Sequence, residues 1–206
     1  MERAVSSVSA GRTRSLSFCG LSVALMAVSA WITVPLGPIP FTLQTFVMVF
    51  VLLAFEPKEV IASVLVYLLV GAVGLPVFSS MRGGFSALAG PTGGFLWGFL
   101  LGALAGTLFL QWAKRMFSSS DPMGKSVRGN HRALAVELVA AGFFILISYA
   151  CGWMQLIVVA GMDPMAAFLA AIAPFVVVDA IKVVAAVFTA DAVRRAIGGR
   201  KQFDRS

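Results

Sequence analysis

The stretch Ala173-Pro-Phe-Val-Val-Val-Asp-Ala-Ile-Lys-Val-Val-Ala-Ala-Val-Phe188 decides the fold, because it places two opposite charges inside an apolar run. Asp179 and Lys182 are three residues apart, and residues at that spacing share one face of a helix. Ionisable side chains are costly inside a membrane, so they usually face a protein interior or a cavity and mark a site. The alternative is a structural ion pair that fixes helix packing, although such buried pairs stabilise weakly if at all.

The composition of the whole chain is that of a membrane protein. Hydrophobic residues make up 59% of the sequence and charged residues 12%, with a mean hydropathy of +0.93, whereas about a quarter of a soluble domain is charged. Six apolar stretches stand out, and the second and third are short for a spanning helix of roughly 20 residues: 16–33, 41–55, 60–75, 95–113, 133–160 and 174–193. The sequence predicts an all-α membrane protein with six transmembrane helices. A membrane domain, 16–193, lies between an N-terminal tail, 1–15, and a basic C-terminal tail, 194–206.

The positions of the basic residues indicate how the chain crosses the membrane. With six crossings, every Lys and Arg except Arg82 and Lys182 falls on the same side. The side that is rich in Lys and Arg is normally cytoplasmic, so both termini are predicted to be cytoplasmic. The net charge of +7 is then a sign of topology. Nucleic-acid binding would need a basic patch on a soluble fold, whereas basic loops suit the anionic heads of the lipid bilayer.

The N-terminus permits a second interpretation. Arg12 and Arg14, the apolar run after them and Ala27-Val-Ser-Ala30 also resemble a cleavable signal peptide. Cleavage would leave five helices with the C-terminus still inside, so the charge pattern fits both arrangements.

Motifs that carry catalysis are absent from the sequence. It contains no G-x-x-x-x-G-K-[ST] phosphate loop and no H-E-x-x-H motif, so neither nucleotide hydrolysis nor zinc proteolysis is expected of this chain. The single histidine, His131, lies in a basic loop, and Cys19 and Cys151 lie in apolar segments without metal-ligand spacing. We expect no metal and no cofactor, and an enzyme is the less favoured class.

The first loop on the predicted outer side carries polar candidates for a binding site. It reads Val34-Pro-Leu-Gly-Pro-Ile-Pro-Phe-Thr-Leu-Gln-Thr45, and its three prolines prevent a helix. Thr42 and Gln44 follow at the mouth of the second apolar stretch, where irregular backbone is tolerated if it lines a cavity or is buried in protein. The alternative is a rigid turn with a buried, satisfied glutamine.

The third loop, 74–94, supplies the one cation on the outer side, Arg82. Arg82 is a candidate partner for a ligand carboxylate, and a solvated arginine is the alternative. At the end of the loop Thr92 is a plausible N-cap for the next helix. Gly93 and Gly94 would expose N–H groups at the positive end of that helix, which favours an anion.

Two features in the C-terminal half of the sequence complete the candidate site, one before the sixth stretch and one within the fifth. Asp163 and Pro164 begin a short helix that Pro174 would end before the spanning helix starts. In the fifth stretch Tyr149 and Trp153 are four residues apart and share a face, so they could stack on a ligand ring, although plain packing is the alternative.

The charge pair itself suggests a ligand chemistry. Asp179 can accept a hydrogen bond from N–H while Lys182 donates to C=O, which matches a cyclic urea. Arg82 would bring the free site to a net charge of about +1, which a single ligand carboxylate would neutralise.

Four stretches together resemble the BioY family, the biotin-specific S components of energy-coupling-factor (ECF) transporters: Pro38-Ile-Pro-Phe-Thr-Leu-Gln-Thr45, Gly74-Leu-Pro-Val-Phe78, Gly90-Pro-Thr-Gly-Gly94 and Pro174-Phe-Val-Val-Val-Asp-Ala-Ile-Lys182. The resemblance implies a multi-pass protein of the bacterial cell membrane. It implies a biotin pocket near the outer face, closed by the first and third loops and lined by the last three apolar stretches. It also implies partners, namely a transmembrane coupling protein and two ABC-type ATPases, which drive inward delivery of biotin as the loaded subunit rotates.

The resemblance assigns three further positions. Phe95 stands where the family often has Tyr and is expected to contribute stacking alone. Gly20 and Ala24 stand where the family has an Ala-x-x-x-Ala pattern that meets the coupling protein, because small residues four apart allow close helix approach. Packing inside the bundle is the alternative for this pair. The competing functions are an S component for another small vitamin and a membrane enzyme or structural bundle.

Overall fold

The computed structural model describes residues 2–34, 39–118 and 131–203. Helices account for most of these residues: α1 Glu2–Trp31, α2 Gln44–Ala54, α3 Pro57–Ala72, α4 Phe85–Ala89, α5 Gly93–Ser118, α6 His131–Ala160, α7 Pro164–Ala171 and α8 Val176–Phe203. A short 3₁₀ helix, Ser79–Met81, precedes α4. The strands β1, Thr33–Val34, and β2, Phe41–Thr42, form an antiparallel pair.

The helix lengths are those of a multi-pass membrane protein. Within the described residues three helices are long and apolar enough to cross a membrane: α1 over Thr13–Trp31, α5 over Gly93–Met116 and α6 over Arg132–Ala160. The pair α7 and α8, bent by 43° at its break, gives a fourth crossing if it forms one span. The helices α2, with 11 residues, and α3, with 16, are shorter than a spanning helix of roughly 20 residues. The expected shortness of the second and third apolar stretches is therefore confirmed.

The helix boundaries in the C-terminal half agree with the sequence at one point and differ at another. The cap at Asp163 is confirmed, since its carboxylate accepts hydrogen bonds from the first turn of α7 at 2.9 and 3.3 Å. The spanning helix predicted to start at Pro174 begins instead at Val176. Residues 172–175 form a turn after α7, and Pro174 lies inside that turn.

Both predicted domain boundaries fall inside helices. The helix α1 already begins at Glu2, and α8 continues to Phe203, so the tails predicted for 1–15 and 194–206 continue the first and last helices. The predictions that concern Pro35, Pro38, the basic residues between 119 and 130, and Arg205 lie outside the described residues.

The helix α2 lies at the centre of the bundle. It contacts α1, α3, α5, α6 and α8, and Val49 and Val51 are completely buried. Its sequence, Gln44-Thr-Phe-Val-Met-Val-Phe-Val-Leu-Leu-Ala54, contains no charged residue. A helix that is apolar on all sides is expected in such a buried position.

Arg194 of α8 ties the C-terminal end of α2 to α6. Its guanidinium donates to the carbonyl of Leu53 at 2.7 Å and pairs with the carboxylate of Glu137 at 2.6 Å. The residue four positions after Leu53 is Pro57, which has no N–H, so this carbonyl needs a partner from outside its helix. A cation at this end also interacts favourably with the helix dipole.

The variant Arg194→Met is expected to lower the thermal unfolding midpoint of the purified protein in detergent by several degrees. It removes the donor from both Leu53 and Glu137, and hydrogen bonds that involve a charged group contribute about 1.5–3 kcal/mol. Arg195→Met is the matched control, because the Arg195 side chain is 66% exposed and its pair with Asp191 lies at the surface. Equal shifts in the two variants would contradict the role of Arg194.

Candidate functional site

A cavity lies between the N-terminal end of α2, the segment that joins α3 to α5, and helices α5 to α8. Its volume is about 80 Å³. Pockets for small-molecule ligands usually have roughly 300 Å³ or more, so a ligand fits only if the lining segments move apart. The lining residues are Ile39, Pro40, Thr42, Gln44, Thr45, Phe78, Ser79, Arg82, Ala87, Thr92, Phe95, Leu96, Phe99, Ile145, Ser148, Tyr149, Ala171, Phe175, Asp179 and Lys182.

The Asp179–Lys182 pair forms one wall of this cavity. The Lys182 ammonium lies 2.8 Å from Oδ1 of Asp179 and donates to the carbonyl of Thr42 at 2.9 Å. The hydroxyl of Tyr149 donates to Oδ2 of Asp179 at 2.7 Å. Asp179 is only 3% exposed, so these contacts replace the water that the carboxylate would otherwise bind.

Gln44 enters the cavity from the first turn of α2. Its side chain is 4% exposed, and its Nε2 atom lies 2.8 Å from the hydroxyl of Tyr67 on α3. The Tyr67 hydroxyl donates in turn to the carbonyl of Val77, at 2.9 Å. The predicted polar mouth at Thr42 and Gln44 is thus part of the cavity lining.

Arg82 reaches the cavity from a constrained turn. Ser80 and Met81, just before it, have φ angles of 59° and 55°, which cost a non-glycine residue about 1–3 kcal/mol each. The N–H of Phe78 donates to the carbonyl of Arg82 at 2.9 Å and closes the turn. The Arg82 guanidinium then donates to the hydroxyl of Thr92 at 3.3 Å.

Aromatic rings contribute to the apolar part of the site. Phe41 and Phe175 stack with their centroids 4.1 Å apart, and the Lys182 ammonium lies 5.9 Å from the Phe41 ring centroid. The ring of Phe95 lies directly against Gly152 of α6, where any side chain would displace it. Phe95 lines the cavity, and its stacking on a ligand stays a prediction.

Gly93 and Gly94 have a different place from the one predicted. Both are buried outside the cavity lining, and the N–H of Gly93 donates to the carbonyl of Gly90 at 2.9 Å. A Cβ atom at Gly94 would collide with the carbonyl of Cys151 on α6. The structure therefore uses these glycines for close packing, and neither of them lines the cavity.

Trp153 also differs from the prediction. Its Nε1 atom donates to the carbonyl of Pro164 at 2.9 Å, and the residue is outside the cavity lining. Of the two aromatic residues predicted on this face of α6, the structure brings only Tyr149 to the cavity.

The predicted partner face on α1 is open. Gly20 and Ala24 are both exposed, and a Cβ atom at Gly20 would meet nothing within 4 Å. In the described structure this face is not covered by the other helices of the bundle.

A ladder of four glycines on α5 was missed in the sequence, although its spacing was visible. Gly94, Gly98, Gly102 and Gly106 recur every four residues. Cβ atoms at Gly98, Gly102 and Gly106 would lie 2.6 Å from Cα of Ser148, 2.7 Å from the Phe144 carbonyl and 3.3 Å from the Ala140 carbonyl, all on α6. Small residues at this spacing allow two helix backbones to approach closely within a membrane.

The variant Gly98→Ala is expected to lower the thermal unfolding midpoint of the purified protein, because its Cβ forces α5 away from α6. Gly142→Ala on α6 is the matched control, since nothing lies within 4 Å of its Cβ and alanine is the better helix former. The control is therefore expected to be neutral or slightly stabilising. Equal destabilisation by both substitutions would contradict the close approach at Gly98.

Metal binding has no support in the described residues. They contain no group of three or more His, Cys, Asp or Glu side chains that could hold a metal ion. Cys19 and Cys151 are free and partly buried.

The fold and the cavity define a multi-pass helical membrane protein with a buried, charged site between its helices and loops, which is the arrangement of a small-molecule binder or carrier. The sequence model of the BioY family matches residues 1–199, so the chain belongs to the BioY family.

Named relatives align with the chain to different extents. The "Probable biotin transporter BioY" of Pyrococcus horikoshii is 32% identical over 87% of this chain and 96% of that protein. The "Biotin transporter BioY" of Rhizobium etli is 33% identical over 88% of this chain and 93% of that protein. The Thermotoga maritima protein of the same name is 49% identical over 44% of this chain, and the match spans about half of that protein, 53%.

One solved structure shares the fold. The S-component for biotin from an ECF-type ABC transporter superimposes with a TM-score of 0.75, at 20% sequence identity, over 90% of this chain and 93% of that chain.

Proposed function

We propose that this protein is the biotin-capturing S component of an ECF transporter and that it delivers biotin inward with an ATP-driven coupling module. The relatives that align over nearly their whole length are named as biotin transporters. The observation that carries the proposal is the Asp179–Lys182 pair in the wall of a cavity that a second cation, Arg82, also lines.

The ion pair retains the hydrogen-bonding capacity that a cyclic urea needs. An ammonium has three N–H donors. Two of those of Lys182 donate to Asp179 and to the Thr42 carbonyl, so one remains for a ligand C=O. A carboxylate has about four lone-pair sites, and Lys182 and Tyr149 occupy one on each oxygen of Asp179. The remaining sites can accept from a ureido N–H.

Arg82 is the cation that we assign to the carboxylate of biotin. The charges of Asp179 and Lys182 compensate each other at 2.8 Å, so Arg82 supplies the net positive charge of the lining. Its contacts with the hydroxyl of Thr92 and the carbonyl of Ser79 use two of the five N–H donors of a guanidinium. The others can serve a carboxylate.

The assignment of sides follows the distribution of charge. The cavity lies at the N-terminal end of α2, whereas Arg194 contacts its C-terminal end and Lys58 follows that end in α3. By the positive-inside rule the second end is cytoplasmic. We therefore place six helices in the bacterial cell membrane, with both termini inside and the cavity towards the outside.

The coupling partners are those that the resemblance to the BioY family implies, namely a membrane coupling protein and two ABC-type ATPases. They would supply the nucleotide hydrolysis for which this sequence has no motif. The chain itself is then a transporter subunit and not an enzyme. The exposed Gly20 and Ala24 offer the coupling protein a close approach.

Biotin titration of the purified protein tests the proposal, and Asp179→Asn and Lys182→Met are each expected to weaken binding roughly ten- to hundredfold. Each removes a charged hydrogen bond, which contributes about 1.5–3 kcal/mol. Isothermal titration calorimetry measures the change. Tight binding of another vitamin in place of biotin would make the chain an S component of different specificity.

Two substitutions of the same kind serve as controls for this titration. Asp163→Asn keeps a capping residue on α7, and Lys58→Met alters a residue outside the cavity lining. Both are expected to bind biotin normally. Wild-type affinity in Asp179→Asn and Lys182→Met would remove the ion pair from the binding site.

The variant Arg82→Ala tests the carboxylate assignment. It is expected to weaken biotin roughly tenfold or more and to change the affinity for the neutral amide of biotin far less, because the amide has no charge to lose. Both ligands are titrated into both proteins. Equal losses for biotin and its amide would assign the carboxylate to another group.

The double variant Gly20→Leu and Ala24→Leu separates capture from transport. Neither position lines the cavity, so the isolated subunit is expected to bind biotin normally. The bulk of the two leucines should block the approach of the coupling protein, which predicts poor co-purification of the complex and little ATP-driven biotin uptake. Full uptake by this variant would remove the face from the interface, and failure to fold would place it inside the bundle.

A further inference from the structure

We propose that the hydroxyl of Tyr67 is a positioning group that turns the Gln44 amide so that its Oε1 atom, and not its Nε2 atom, faces the cavity. Gln44 then accepts a hydrogen bond from a ureido N–H, and the site selects ligands that carry an N–H at that position. This inference rests on the proposed function, because biotin is the ligand whose ureido group Gln44 would read.

The direction of each hydrogen bond at Tyr67 follows from its single hydroxyl proton. The carbonyl of Val77 can only accept, so Tyr67 donates this proton to it, over 2.9 Å. The Gln44 amide lies 2.8 Å from the same oxygen, which has no second proton to donate. Tyr67 must therefore accept from Gln44, and only Nε2 of the amide can donate to it. The remaining amide atom, Oε1, is left for the cavity that Gln44 lines.

Burial makes this orientation costly to reverse. Tyr67 is fully buried, and Gln44 is 4% exposed. With the amide reversed, the single proton of Tyr67 could serve either Oε1 of Gln44 or the Val77 carbonyl, and the other acceptor would be left unsatisfied. The Tyr67 ring also packs edge-on against Phe78, with the centroids 5.4 Å apart, which keeps the hydroxyl in place. The fold therefore orients the amide before any ligand arrives.

The chain places this acceptor beside the ion pair. Gln44 follows Thr42 by two residues, its N–H lies 3.3 Å from the Thr42 hydroxyl, and the Thr42 carbonyl accepts from Lys182. Gln44 and Asp179 thus offer two acceptors in one cavity, and Lys182 offers a donor. A cyclic urea presents the complement, two N–H groups on either side of one C=O.

The test compares biotin with its cyclic carbonate analogue, in which oxygen replaces both ureido N–H groups, on the wild type and on Tyr67→Phe. In the wild type the carbonate oxygen meets Oε1 of Gln44 and is rejected. In Tyr67→Phe the amide can turn Nε2 towards the cavity. We expect Tyr67→Phe to bind biotin roughly three- to tenfold more weakly than the wild type does. We also expect its preference for biotin over the carbonate to be roughly tenfold smaller than that of the wild type.

The matched control is Trp31→Phe, which removes another hydrogen bond to the same segment without affecting Gln44. Nε1 of Trp31 donates to the carbonyl of Pro76 at 2.7 Å, one residue before Val77. A loosened segment alone would weaken both ligands by the same factor, so this control is expected to keep the wild-type preference. An unchanged preference in Tyr67→Phe, or unchanged biotin affinity, would overturn the proposal.

A second variant covers the case in which Tyr67→Phe does not fold. Gln44→Met keeps the length of the side chain and removes the acceptor, so the preference for biotin should fall in the same way. A preference equal to that of the wild type would overturn the proposal, because Gln44 would then accept no hydrogen bond from a ureido N–H. If biotin binds the wild type but the variants keep the wild-type preference for biotin over the carbonate, the proposed function stands and this inference fails. If biotin does not bind the wild type, both fail.

Discussion

The arrangement of the cavity walls depends on the ion pair between Asp179 and Lys182, because a buried carboxylate and a partly buried ammonium must both find partners in the surrounding elements. Lys182 contacts the carbonyl of Thr42 before α2, and Asp179 accepts from Tyr149 on α6. The pair on α8 therefore holds three parts of the chain together around the cavity. Apolar residues of similar volume often stabilise a protein as well as a buried ion pair does, so stability alone does not account for the pair, whereas the binding role that we propose does.

The central helix α2 is held at both ends by cations of α8. Lys182 contacts the carbonyl of Thr42 at one end, and Arg194 contacts the carbonyl of Leu53 at the other. Because α2 has no charged side chain of its own, backbone carbonyls provide these attachment points. A slip of α2 by one residue, about 1.5 Å along its axis, would disturb both contacts and move Gln44 in the cavity. The position of one cavity residue is thus tied to a contact at the far end of the bundle.

The sequence predicted the parts of this molecule whose signal is local. Charges inside an apolar run identified Asp179 and Lys182, and the short second and third apolar stretches predicted the short helices α2 and α3. The lengths of α1 and α8 did not follow in this way, because both helices continue into the predicted tails. Tyr67 was not predictable in this way, because a tyrosine in an apolar stretch also fits a plain core position. Its role appears only when the fold brings Gln44 and the α3–α4 segment to one hydroxyl. Gly94 was predicted correctly to lie at the start of a helix. A glycine is needed there because the Cys151 carbonyl of α6, from a distant part of the chain, leaves no room for a side chain.

Small residues four apart serve two purposes in this chain, and their spacing alone does not distinguish them. The glycine ladder of α5 is covered by α6, the next long helix along the chain. The face of α1 with Gly20 and Ala24 is left open after α1 packs against α2 and α3. A helix position that contacts only lipid has no packing reason to be small, because lipid tails are as apolar as leucine and fill the space equally well. The proposed contact with a coupling partner would give the small residues on this open face a packing role, whereas the ladder of α5 has that role within the bundle.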